Sequence, residues 1–296
     1  MATTPLPPSG PVTAPLNFYS PPPDNSPPFN LADLPPSSPL PPRNYGSTPI
    51  PTLITDARPS LPTFTLNNDS FLLLTSQPPP SSEPSLFTSS PSIKTHYYPE
   101  ITSLLLSHIP GATRVLIFDH TIRLPPSPSP SAPPPPRTPV QRVHIDQTAL
   151  SAAQRVRKHL PPDEADAILS NGTRYRIVNV WRPLNDDPLE SFPLAFASSA
   201  SLRDEEVVPV EHRYTQTGYI GQTAAIAHHP EQKWYYLSGM KNTERILLQC
   251  FDSEALKEGS EVKGGRVAHS AFEDPRTRPE AEGRRSIEVR ALVFGP

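Results

Sequence analysis

Two histidines and an aspartate are the residues of this chain whose types and spacing best suit a metal. His144 and Asp146 stand in Arg142-Val143-His144-Ile145-Asp146-Gln147, and His269 follows Gly264-Gly265-Arg266-Val267-Ala268 far downstream. In an extended strand, residues i and i+2 point to one side, so His144 and Asp146 aim an imidazole and a carboxylate into the same space. Adding His269 gives two neutral nitrogens and one carboxylate on one face of an octahedron, with three positions left open. That donor set suits iron(II) and its oxygen chemistry, whereas a structural zinc site is closed by four protein ligands. 2-Oxoglutarate can take two open positions and O2 the third.

The last strand-like run supplies a matching anion site. In Arg284-Arg285-Ser286-Ile287-Glu288-Val289-Arg290, positions 284, 286, 288 and 290 share a face. Arg284 and Ser286 can converge on one carboxylate, the guanidinium with paired hydrogen bonds and the hydroxyl with another. Arg285 points away. Arg290 is the alternative anchor, and its burial among Val289, Leu292 and Val293 requires a partner such as Glu288.

Each of these residues also has an ordinary reading. With nine histidines and 29 acidic residues, about one His-x-acid pair arises from composition alone. His229-Pro230-Glu231 is a second such pair, in a polar loop where proline prevents regular strand pairing, and it reads as a solvated turn. A lone histidine beside a strand is commonly structural, and arginine at a strand end commonly faces solvent. Trp181-Arg182 reads equally as a core aromatic with a stacked arginine or as a substrate contact. Trp234-Tyr235-Tyr236 and Met240 read as pocket or core. Cys250, within Leu247-Leu248-Gln249-Cys250-Phe251, reads as a buried hydrophobe. Neither a nucleophile-elbow Gly-x-Ser-x-Gly, a P-loop nor a dinucleotide fingerprint is present.

Short β-type runs must position these residues. They are Thr52–Asp56, Phe71–Thr75, Arg114–Asp119, Val140–Ile145, Tyr175–Trp181, Leu194–Ala197, Trp234–Leu237, Arg245–Phe251, Gly265–His269 and Ser286–Phe294. Helices are expected from Pro99-Glu100 to His108, closed by Pro110-Gly111, over Thr148–Leu160, and over Pro162–Leu169. Many strands with few helices predict a mainly β fold, a double-stranded β-helix (jelly roll, cupin-like) with a few flanking helices. Most of the 45 prolines fall at or before Pro139. Residues 1–44 therefore read as a proline-rich N-terminal arm, and 45–296 as the jelly-roll domain, with Pro/Ser-rich loops at 77–92 and 125–139.

Composition narrows the function classes. A net charge of −3 and a pI near 6.3 give no case for nucleic acid or an anionic membrane as partner. One cysteine excludes an internal disulfide framework and a cysteine-based zinc site. The N-terminus lacks the charged and apolar regions of a secretory signal, and no apolar run is long enough to span a bilayer. A cytoplasmic protein is expected; oligomeric state is not legible.

Seven stretches, in order along nearly the whole chain, resemble the fungal asaB-type hydroxylase/desaturase family. That family includes the gibberellin desaturase and relatives of bacterial cephem methoxylases. The stretches are Leu16-Asn17-Phe18-Tyr19, Tyr98-Pro99-Glu100, Val143 to Gln147, Asn179 to Leu184, Phe251-Asp252-Ser253, His269-Ser270-Ala271-Phe272 and Ser286 to Arg290. Two departures stand out: Gly283-Arg284-Arg285-Ser286 replaces the usual Pro-Arg-Glu-Ser, and Gln249 replaces a common lysine. The resemblance implies an iron(II)/2-oxoglutarate oxygenase using O2 on a small secondary metabolite. Carried over, His144, Asp146 and His269 are the iron ligands and Arg284 the cosubstrate anchor, with Ser286 beside it. Two rivals stand beside it: a non-catalytic protein recruiting SH3- or WW-type partners through its proline-rich segments, and a cupin-like metalloenzyme that does not use 2-oxoglutarate.

Overall fold

Val12, Ala14, Leu16 and Phe18 are all buried, while Thr13 and Pro15 between them face solvent. This period-two alternation makes a half-buried strand of a segment whose prolines suggest an arm. The computed structural model describes residues 6–35, 38–75, 77, 84–125 and 138–295, and among them strands form two sheets. The larger has nine, in the order β1 (Val12–Ser20), β3 (Gly46–Asp56), β11 (Trp234–Tyr236), β8 (Leu194–Ala197), β13 (His269–Ala271), β6 (His144–Ile145), β10 (Ile220–Ile226), β9 (Val207–Arg213), β2 (Phe29–Leu31). The smaller has five, in the order β4 (Phe71–Leu74), β12 (Arg245–Asp252), β7 (Tyr175–Pro183), β14 (Ser286–Phe294), β5 (Arg114–Arg123). This is the expected jelly roll.

Residues on both sides of position 45 share the larger sheet. β1 pairs with β3 along its whole length, from Val12↔Ile54 to Ser20↔Gly46, and β2 pairs with β9. Prolines are tolerated because the pairing there is one-sided. β1 is an outermost strand, and β3 acquires its second neighbour, β11, only from Ile54 onward, beyond Pro49 and Pro51. Most of the 125–139 loop and residues 78–83 of the 77–92 loop lie outside the described residues. From Pro84 on the second loop is helical.

The two sheets bury themselves differently. β7, β12 and most of β14 are covered on both faces, so polar residues such as Arg176, Asn179, Gln249 and Glu288 are buried there beside the apolar ones. One face meets the larger sheet through Phe71, Ile177, Trp181, Phe196, Ile246 and Leu248. The other is covered by α1 (Tyr98–His108), whose Ile101, Leu104 and Leu105 pack on Val180, Leu247 and Val289. α2 (Ala149–His159) and α3 (Pro162–Ser170) match their expected spans within a residue. Three other runs shift. Only His144–Ile145 of the Val140–Ile145 run is strand, β13 begins at His269 where the Gly265 run was expected to end, and β5 continues to Arg123.

Local chemistry fixes where β6 stops. Thr148 caps α2, its hydroxyl accepting from the Ser151 amide at 3.3 Å while the Ser151 hydroxyl accepts from the Thr148 amide at 2.9 Å. The Thr148 hydroxyl also donates to Gln222 Oε1 at 2.6 Å, tying the helix start to β10. Asp146 is thereby held between a strand end and a capped helix.

Candidate metal centre

β6 and β13 lie side by side, with His144 directly opposite His269 and their ring centroids 4.4 Å apart. Asp146, just past β6, brings Oδ1 to 3.4 Å from His144 Nε2. One ligand atom from each of the three lies within 4.8 Å of the others. The Nδ1 atoms face carbonyl oxygens, His144 toward Arg142 at 2.7 Å and His269 toward Val267 at 3.3 Å. A carbonyl only accepts, so each Nδ1 carries the proton and each Nε2 keeps its lone pair, the second-layer arrangement that orients imidazole ligands.

Charge follows the same design. Burial pushes His269 down to about 4, with His144 adding to the effect, so its ring stays neutral at physiological pH. Burial alone would raise Asp146, but the Arg290 guanidinium beside it holds it well below the usual carboxylate range. Its second oxygen is tied down: Asn179 Nδ2 donates to Oδ2 at 2.7 Å and Arg290 Nε at 3.2 Å. That leaves Oδ1 on the side of the histidines. Arg290 also pairs with Glu288 and donates to Thr121 Oγ1 at 2.9 Å. Burial works against Arg290, yet Glu288 and Asp146 hold it charged. The partner that a buried Arg290 requires is indeed Glu288.

Arg284 is the opposite case. It is 3 % exposed, its Nη1 donates to the Phe192 carbonyl at 2.8 Å, and its Nε is buried without a partner. Phe192 itself sits in the left-handed region, φ 49°. The guanidinium lies 5.6 Å over the Trp181 ring. Burial lowers it to about 9, with Arg123 adding to the effect and Glu288 offsetting part. No carboxylate of the described residues lies within ion-pair distance of it. A buried cation with spare donors fits an incoming carboxylate. Ser286 is buried in register with Arg123.

The other singled-out residues fall into place around this centre. Trp181 is core, but its arginine is Arg284; Arg182 stacks between Phe87 and Tyr97, 5.3 and 5.5 Å from their ring centroids. Cys250 is fully buried at a bulge in β12. Trp234, Tyr236 and Met240 are core. His229-Pro230-Glu231 is a surface turn whose Glu231 pairs with Arg203. A cavity of about 220 Å³ opens onto His144 and Asp146. Its walls include Tyr19, Tyr45, Arg142 and His212, none of them foreseen. Asn179 was visible only as part of a motif, although its place on an inward face of β7 is a period-two signal.

The donor set fits iron(II): two imidazoles and one carboxylate, and among the described residues no fourth ligand joins them. Among the described residues, no helix is long and apolar enough to cross a membrane. A family model described as "Oxidoreductase/YMDC permease-like domain" matches residues 16–294. The chain is 34% identical over 311 residues to the hydroxylase/desaturase poxK of Penicillium oxalicum, covering 99% of this chain and 94% of that protein. It is 29% identical to the Fe(II)/2-oxoglutarate-dependent dioxygenase nvfI of Aspergillus novofumigatus, covering 85% of this chain and 86% of that one. A solved structure of the iron and alpha-ketoglutarate-dependent endoperoxidase NvfI superimposes with a TM-score of 0.80 at 26% identity, over 97% of this chain and 98% of that one. The family's cofactors are iron(II), 2-oxoglutarate and O2, and its substrates are small molecules. The chain belongs to the asaB-type hydroxylase/desaturase family of iron(II)/2-oxoglutarate-dependent dioxygenases.

Proposed function

We propose that His144 Nε2, Asp146 Oδ1 and His269 Nε2 hold the iron(II), that Arg284 with Ser286 binds the far carboxylate of 2-oxoglutarate, and that the enzyme hydroxylates or desaturates a small secondary metabolite. The observation that carries the reading is the convergence of two oriented imidazoles and one carboxylate within 4.8 Å. When bound, iron(II) with 2-oxoglutarate and O2 supplies oxidation of an unactivated C–H bond, and 2-oxoglutarate leaves as succinate and CO2.

The protein's share is placement and exclusion of water. The Arg142 and Val267 carbonyls fix the two rings, and Asn179 and Arg290 hold Asp146 to one free oxygen. Arg284 offers donors that no carboxylate of the described residues uses. Trp181 and Phe196 are buried in the core between the sheets, and in such low-dielectric surroundings a charge-assisted hydrogen bond is strongest.

Anaerobic titration with iron(II), with and without 2-oxoglutarate, tests the assignment. A visible metal-to-ligand charge-transfer band is expected only when both are present, and succinate release only in air. His269→Ala should lose both. Full turnover in that variant would sink the ligand assignment, and a metal complex indifferent to 2-oxoglutarate would favour the cupin-like rival.

A further inference from the structure

Most arginines of this chain lie within 4.0 Å of a carboxylate. Arg142, in the wall of the cavity beside His144, does not. Its Nη1 donates to the Tyr45 hydroxyl at 3.0 Å, and its guanidinium lies 5.8 Å from the Tyr45 ring centroid. Arg43 lies over the same ring at 5.9 Å, and it too has no carboxylate partner among the described residues. Two cations therefore flank one tyrosine at the mouth of the site, in a chain whose net charge is −3. Among the described residues Asp146 is the one acid in the cavity wall, and it is committed to Arg290 and, on the proposed reading, to the metal.

The charge at the centre leaves these cations over. The charges of iron(II), Asp146 and dianionic 2-oxoglutarate, taken with Arg284, Glu288 and Arg290, cancel among themselves. Neither metal nor cosubstrate consumes Arg142. A partly buried guanidinium without a counter-charge favours an anion that arrives from solution.

Position ties that anion to the chemistry. The Arg142 carbonyl accepts the His144 Nδ1 proton at 2.7 Å, and Asn17 clamps the same segment, accepting the Val143 amide at 2.9 Å and donating to the Gln141 carbonyl at 2.9 Å. Two extended residues separate Arg142 from His144 by about 7 Å. At about 220 Å³ the cavity admits a head group and a few carbons, with the rest of the molecule reaching out through the mouth.

Resting on the proposed metal reading, we propose that the primary substrate carries an acidic oxygen group, a carboxylate or equally acidic enol, which Arg142 and Tyr45 bind so that the carbons next to it face the iron. Arg142 and Tyr45 are then substrate-binding residues that select for charge.

The test uses the full-length protein with iron(II) and 2-oxoglutarate under anaerobic conditions. Benzoate, cinnamate and hexanoate are titrated against their uncharged amides, followed by calorimetry and by the shift of the charge-transfer band. At least one acid should bind tenfold or more tighter than its amide. Arg142→Met should erase that preference while changing 2-oxoglutarate affinity less than twofold, and Arg142→Lys should keep part of it. Equal binding of acids and amides throughout would overturn the proposal. So would displacement of 2-oxoglutarate by the acids, or loss of 2-oxoglutarate binding in Arg142→Met, which would give the arginine to the cosubstrate. A wild-type protein that forms no charge-transfer band removes the metal reading instead.

Discussion

Replacing Arg284 with methionine separates a cosubstrate anchor from a structural arginine. The side chain is buried, and burial lowers the guanidinium well below its usual range, to about 9. At about 1.4 kcal/mol per tenfold, keeping it charged costs on the order of 4 to 5 kcal/mol in the metal-free protein. One hydrogen bond, to Phe192 at 2.8 Å, and the face of Trp181 offset only part of this. Exchanging such an uncompensated charge for an apolar side chain of similar length is neutral or stabilising by about 1 to 4 kcal/mol. Thermal unfolding of the metal-free Arg284→Met protein is therefore expected at or a few degrees above the wild-type midpoint, at roughly 2 to 4 °C per kcal/mol for a chain of this size. 2-Oxoglutarate binding should behave oppositely. Loss of a desolvated charge pair costs about 2 to 5 kcal/mol, roughly thirtyfold to a few thousandfold in Kd. Anaerobic titration of 2-oxoglutarate into the iron(II) protein reads this through the charge-transfer band. Affinity within threefold of wild type, together with a lower unfolding midpoint, would refute the reasoning and make Arg284 a structural residue.

Other expectations follow from single contacts. Asn179→Ala removes the 2.7 Å hydrogen bond to Asp146 Oδ2 and should weaken iron(II) binding about 10- to 100-fold, measured by competition with a chelator; unchanged affinity would show that Arg290 suffices. Leu16→Ala, at a fully buried site in β1, should cost about 2 to 5 kcal/mol in denaturant unfolding, and an unshifted midpoint would mean that the N-terminal strand is not part of the cooperative unit. Gly265 has φ +61°, and an added Cβ would lie 2.5 Å from Ala255 Cβ. Gly265→Ala should lower stability by at least about 1 to 2 kcal/mol and weaken metal binding through His269, whereas a wild-type unfolding curve would show that the turn relaxes freely.

How far the sequence reveals this molecule depends on the range of each interaction. β7, β12 and β14 were legible because they are rich in Val, Ile, Leu and aromatic residues. α1 was legible from proline in its first turn and glycine beyond its end. β1 and the first half of β3 were hidden by prolines that one-sided pairing tolerates, although Val12, Ala14, Leu16 and Phe18 carried the alternation. β9 and β10 are short and half exposed, and Pro209 interrupts the first. For the site, His144-x-Asp146 could be read because the strand period puts both side chains in one space, and Arg284, Ser286, Glu288 and Arg290 could be read as one face. What holds Asp146 could not: Asn179 comes from a distant strand, and nothing local announces the pairing. The cavity wall is harder still. Tyr19, Tyr45, Arg142 and His212 meet only after the larger sheet has curled.

β14 is the last strand of the chain and also an inner strand of the smaller sheet, between β7 and β5. It pairs from Ser286↔Pro183 to Phe294↔Tyr175 on one side and from Ser286↔Arg123 to Phe294↔Arg114 on the other. While the chain is being synthesised, β7 and β5 therefore wait with their facing edges unsatisfied until Ser286–Phe294 appear. Such sequence-distant pairings fold slowly, and open edges invite association with other chains. The nascent chain therefore has its greatest need of chaperone protection before β14 has docked. A chain cut before β14 is expected to leave both of these edges open and to aggregate.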